Sequence, residues 1–81
     1  MNRTEALSAV EESLARIVPG ADLTALRPED PFREVLELDS LDFLRFVETL
    51  GERTGVSIDD ADTPRLTTLS GCVGFLSADG A

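Results

Sequence analysis

Residues 39–55 read Asp39-Ser40-Leu41-Asp42-Phe43-Leu44-Arg45-Phe46-Val47-Glu48-Thr49-Leu50-Gly51-Glu52-Arg53-Thr54-Gly55, and this stretch sets how the rest of the chain is read. Phe43, Phe46, Val47 and Leu50 recur at i, i+3, i+4 and i+7, the period of one buried helix face. The pattern predicts a helix over 40–54, ended by Gly55. At roughly 100° per residue, Leu41 lies about 160° from Phe43 and Leu44 about 100° from it. Core packing therefore does not explain these two leucines. Arg45 and Glu48 share their side of the helix, which reads as a docking surface, although single exposed leucines are ordinary. Ser40 stands at the helix start among unpaired N–H groups and the positive end of the helix dipole, an environment that suits a phosphate ester. A plain helix-capping serine reads the same way.

Working outward, the chain of 81 residues is sized for one domain with a small core and no deep cleft of its own. Sixteen acids against seven bases give a net charge of −9. That balance argues against nucleic acid, which is held by cations on its phosphates. It argues equally against anionic membrane surfaces, and it favours partners with basic patches. The acidity is concentrated. Glu37, Asp39, Asp42, Glu48, Glu52, Asp59, Asp60 and Asp62 face only Arg45 and Arg53, so −6 of the −9 falls between residues 37 and 62.

The absences are as informative. The chain has no His, Lys, Tyr or Trp, and every base is an arginine. Ser40 has no ordinary proton acceptor for a nucleophilic triad, so no catalytic residue is assigned. One cysteine and no histidine assemble no zinc set. Asp59, Asp60 and Asp62 lack the central Gly and closing Glu of a calcium loop, so no metal site is assigned either. Cys72, the single cysteine, fits a reducing cytoplasm. No segment has the length of a membrane span or the form of a signal peptide.

The remaining elements follow from periodicity and breakers. Leu7, Val10, Leu14 and Ile17 form an apolar stripe, and the helix over 4–18 should be capped by Thr4 and stopped by Pro19-Gly20. Residues 19–38 should form a long loop broken by Pro28 and Pro31, pinned by Leu23, Leu26, Phe32, Val35 and Leu36, with room for a helical turn near Pro31–Val35. A short helix is expected over 59–66. A last helix over 68–76, capped by Thr67 or Thr68, should turn Leu69, Cys72, Val73 and Leu76 inward. Cys72 on that stripe reads as a small buried hydrophobe. Gly71 and Gly74 either allow close approach of a neighbour or are merely tolerated. The tail 77–81 is expected to be disordered.

The block Asp39-Ser40-Leu41-Asp42, the helical stripe after it, Ile58-Asp59-Asp60, and Arg65-Leu66-Thr67-Thr68-Leu69 together resemble acyl carrier proteins, at spacings similar to those of bacterial carriers. With the first helix and long loop, the resemblance covers almost the whole chain. Asp before Ser is more like acyl carriers than peptidyl carriers. The resemblance implies an all-α fold, an acyl-carrier four-helix bundle of three main helices and one short one. It implies that a phosphopantetheinyl transferase attaches 4'-phosphopantetheine from coenzyme A to Ser40, and that the arm's thiol then carries an acyl group as a thioester. Asp39, Leu41 and Asp42 would complete the transferase recognition motif. Leu41, Leu44, Arg45, Glu48, Glu52, Asp59 and Asp60 would face acyl-loading and acyl-processing enzymes. A freestanding cytoplasmic monomer is expected.

Two positions depart from the family pattern. Carriers commonly have Gly two residues before the Asp, where this chain has Glu37. Arg45 occupies a partner-facing position that is usually acidic in carriers of fatty-acid synthesis. These departures favour a specialised set of partners. The competing readings are an unmodified acidic adaptor or regulatory protein of carrier fold, an aminoacyl or peptidyl carrier, and a small hydrolase using Ser40.

Overall fold

A computed structural model describes residues 1–79. Three long helices and several short turns make up the fold, with no strand among the described residues. Helix α1 (Arg3–Ile17) packs against both α3 (Ser40–Thr54) and α4 (Leu69–Asp79). Between α1 and α3 the chain makes a 3₁₀ turn at Leu23–Ala25 and a one-turn helix, α2 (Phe32–Val35). A 3₁₀ segment, Asp60–Arg65, precedes α4 and packs on it.

Helix α1 starts earlier than its apolar stripe suggests. Asn2, not Thr4, is the cap: its side-chain oxygen accepts the N–H of Glu5 at 2.8 Å, and its amide donates back to the Glu5 carboxylate at 2.8 Å. Such a cap contributes about 1 kcal/mol. The inward stripe is also displaced. Ala6, Val10, Ser13 and Leu14 are buried, whereas Leu7 is 37% exposed. The small Ala6 and Ser13 let α1 approach its neighbours, and Ser13 satisfies its hydroxyl by donating to the carbonyl of Ala9 at 2.8 Å.

The long connection is held by its backbone as well as its side chains. The N–H of Phe32 donates to the Thr67 carbonyl at 3.1 Å, and the N–H of Ser70 to the Pro28 carbonyl at 2.9 Å. These bonds tie the loop to the start of α4. Phe32 then enters the core edge-on to Phe46, with ring centroids 5.2 Å apart. Leu26 is buried with it, but Val35 is half-exposed and does not pin the loop. Leu38, absent from the expected anchors, is buried instead.

On α3, Phe46, Val47 and Leu50 are buried, and Phe43 is only partly so, at the edge of the core. Gly55 ends the helix at φ +71°, the left-handed conformation that glycine adopts without strain. Helix α4 begins at Leu69 with Thr68 as cap, whose hydroxyl accepts the N–H of Gly71 at 2.9 Å. It buries Leu69, Cys72, Val73 and Leu76 as expected, and Phe75 besides. It continues to Asp79, so residues 77–79 are helical rather than disordered; the rest of the expected tail, residues 80–81, lies outside the described residues.

Candidate functional site

The site is built by the way the chain leaves α2. The N–H of Glu37 bonds the Glu34 carbonyl at 3.2 Å, and the N–H of Leu38 bonds the Arg33 carbonyl at 2.8 Å. These are the two bonds of a Schellman motif, which requires a left-handed residue between helix and exit. Glu37 is that residue, at φ +55°. The backbone here favours glycine, and this chain places a glutamate there against a steric cost of about 1–2 kcal/mol.

The motif turns the chain so that Leu38 is buried and Asp39 starts α3. Asp39 accepts the N–H of Asp42 at 2.8 Å, and the Asp42 carboxylate reaches back to the N–H of Asp39 at 3.4 Å. This reciprocal cap occupies both aspartates. The N–H groups of Ser40 and Leu41 have no protein acceptor among the described residues. Ser40 is the first residue of the helix rather than its cap, and its hydroxyl is exposed. A capping role is therefore filled by Asp39, and the serine is left accessible for chemistry.

Arg33 completes the site, and the sequence reading missed it. Its Nη2 donates to Ser40 Oγ at 3.0 Å and its Nε to the Leu38 carbonyl at 3.3 Å. The guanidinium lies over the Phe43 ring, 5.4 Å from the centroid. Phe43 is thus the floor beneath an arginine rather than a full core member. The available signal was a cation seven residues before the serine, with a helical turn between them.

The proposed docking residues separate into two groups. Leu41 is 54% exposed and Leu44 50% exposed, and Arg45, Glu48 and Glu52 are exposed on the same helix. Arg45 makes no ion pair or side-chain hydrogen bond among the described residues, with Glu48 and Glu52 included. Arg53 instead pairs with Glu12 of α1. Asp59 and Asp60 are exposed on a different element, at the start of the 3₁₀ segment. There the Asp59 N–H donates to the Asp62 carboxylate at 3.1 Å, a local turn. No three potential metal ligands of the His, Cys, Asp or Glu type come together among the described residues. No helix there is long and apolar enough to cross a membrane.

An exposed hydroxyl, free N–H groups and an adjacent guanidinium fit a phosphate ester on Ser40. The phosphopantetheine attachment site family matches residues 7–76. An acyl carrier protein of Rubrobacter xylanophilus is 36% identical over 76 residues, covering 94% of this chain and 93% of that protein. Acyl carrier proteins of Nitratidesulfovibrio vulgaris (31% over 72 residues, 85% and 95% covered) and Thermosynechococcus vestitus (32% over 77 residues, 95% and 94% covered) are similar in the same way.

Proposed function

Because the chain belongs to the acyl carrier proteins and contains their phosphopantetheine attachment domain, we propose that Ser40 is the attachment point and that the exposed side of α3 presents the cargo to partner enzymes. The observation that carries this reading is Ser40 Oγ: exposed, released from capping by Asp39, and hydrogen-bonded to a cation. A transferase would join the serine oxygen to the pantetheine-side phosphorus of coenzyme A. The anhydride P–O bond breaks, adenosine 3',5'-bisphosphate leaves, and the serine proton passes to a base of the transferase. When attached, the arm supplies a terminal thiol that holds an acyl group as a thioester.

The chain's own contribution is to hold Ser40 outward and to offer recognition around it. Asp39 and Asp42 keep their carboxylates at the helix start, where they can meet the transferase and its metal ion. Leu41 and Leu44 provide exposed apolar anchors, with Glu48 and Glu52 as acids for a basic patch. Asp59 and Asp60 would extend the acidic surface to a second element. The protein is a carrier rather than a catalyst. Its acyl-processing partners belong to fatty-acid, polyketide or related biosynthesis, in the cytoplasm, and the unpaired Arg45 favours the specialised ones.

The test is intact mass after incubation with coenzyme A and a phosphopantetheinyl transferase of broad specificity. One phosphopantetheine should be gained by the unsubstituted chain and none by Ser40→Ala. Modification that survives Ser40→Ala would overturn the assignment, and a chain that is never modified would leave the acidic adaptor as the better reading.

A further inference from the structure

We propose that Arg33 is this protein's own cationic clamp for the phosphodiester formed at Ser40, positioning the root of the arm. The inference rests on Ser40 being the attachment point. It starts from three contacts of one exposed side chain: Nη2 to Ser40 Oγ at 3.0 Å, Nε to the Leu38 carbonyl at 3.3 Å, and the guanidinium face on the Phe43 ring at 5.4 Å.

Each contact has a separate consequence. The Nε bond and the aromatic floor fix the plane of the guanidinium, so less freedom is lost when it binds. The Nη2 bond aims the guanidinium at the one atom that changes on modification. A guanidinium carries five N–H donors. Two serve Leu38 and Ser40 here, so three remain for a ligand. After transfer, Ser40 Oγ would become an ester oxygen, with the negative charge on the two non-bridging oxygens of the phosphorus bonded to it. Arg33, already hydrogen-bonded to Oγ, would have them within reach of its guanidinium. A neutral contact to a hydroxyl becomes a charge-assisted contact to a phosphodiester.

The surroundings make a cation matter at this point. Glu34 and Glu37 flank the turn, and Asp39 and Asp42 cap the helix. A new anion among these carboxylates is repelled, and Arg33 is the base that the structure brings into contact with Ser40. Its distance in sequence hid the relationship. Seven residues separate the two, and the left-handed turn at Glu37 folds one back onto the other.

The experiment is a cycle of four proteins: apo and phosphopantetheinylated forms of the unsubstituted chain and of Arg33→Gln, with unfolding in urea read at low and high salt. Mass verifies that Ser40 is modified in both chains; if neither can be modified, the carrier reading itself fails, and with it this one. A structural role for Arg33 lowers the stability of apo and modified forms equally. A clamp makes modification more favourable to folding in the unsubstituted chain than in Arg33→Gln. For a solvent-exposed pair the expected difference is roughly two- to fivefold in the unfolding equilibrium constant, shrinking at high salt. Equal effects of modification in the two chains overturn the proposal. A second measurement needs no variant. The side-chain N–H resonances of Arg33 should shift on modification while those of Arg53 and Arg65 stay in place. Unmoved Arg33 resonances would equally overturn it.

Discussion

Gly71 stands directly against the backbone carbonyl of Arg65, so close that a Cβ on residue 71 would fall well inside van der Waals contact with the oxygen. The contact joins the end of the 3₁₀ segment to the first turns of α4. Gly74, one turn further on, has nothing within 4 Å of the place a Cβ would occupy. The same substitution should therefore act in opposite directions. Gly71→Ala is expected to destabilise by about 1–3 kcal/mol through forced backbone movement. Gly74→Ala should stabilise by up to about 1 kcal/mol through helix propensity. Urea midpoints of the two variants check the pair, and a shared sign would contradict the packing.

Glu37 offers a second stability test. Its φ of +55° is left-handed, and the Schellman bonds from Glu37 and Leu38 require that geometry. Glu37→Gly removes the steric cost, partly offset by the greater freedom of glycine in the unfolded chain. A gain of about 0.5–1 kcal/mol is expected, with no change in modification at Ser40. A loss of stability on chemical denaturation would mean that the glutamate side chain has a compensating partner.

The two leucine classes of α3 should behave differently. Leu50 is fully buried, and Leu50→Ala should cost about 2–5 kcal/mol as a core cavity. Leu41 is 54% exposed, and Leu41→Ala should stay within about 0.5 kcal/mol of the parent while weakening docking to partner enzymes. Thermal unfolding together with the KM of a loading enzyme separates these effects. Equal destabilisation by both changes would place Leu41 in the core.

Much of this division was legible in the sequence. Phe46, Val47 and Leu50 are bulky, follow the helical period without interruption, and stop at a glycine, so α3 and its two sides could be read directly. Local patterns served less well where small residues or the backbone decide. Ala6 and Ser13 carry no hydrophobic signal, yet they occupy the inward face of α1, and Leu7 is displaced to its rim. Asn2 lies before any apolar period and still caps the helix. Phe75 is buried beneath the guanidinium of Arg65, 5.1 Å from its centroid, a tertiary contact that periodicity does not encode. The aspartates and the serine could be identified from their order along the chain. Arg33 could not, because its place beside Ser40 depends on the turn between them.

Arg45 tests partner choice. It is exposed on α3 and makes no ion pair among the described residues, so its charge is available to a partner. A cation here repels a basic patch that a wholly acidic helix would attract. Arg45→Glu should raise turnover with general fatty-acid-synthesis enzymes several-fold and lower it with a dedicated partner, both effects fading as salt is added. Unchanged turnover with both would reduce Arg45 to a solvated surface charge.

Alkaline stability isolates Cys72. The thiol is fully buried, and burial pushes its pKa up from 9.0 to about 12. Well below pH 9 the thiol is protonated whether the chain is folded or not, so it adds no pH dependence there. Between about pH 9 and 12 the unfolded chain loses the proton and the folded chain keeps it. Stability should then fall as pH rises, by about 1.4 kcal/mol per pH unit once the unfolded thiol is ionised. The composition makes this unusually clean. The chain has no Lys or Tyr. Urea unfolding of Ser40→Ala, which carries no arm thiol, should show the decline from pH 9 to 11, and adding Cys72→Ala should flatten it. The same slope in the doubly substituted chain would show that the decline arises elsewhere and that Cys72 ionises freely in the folded protein.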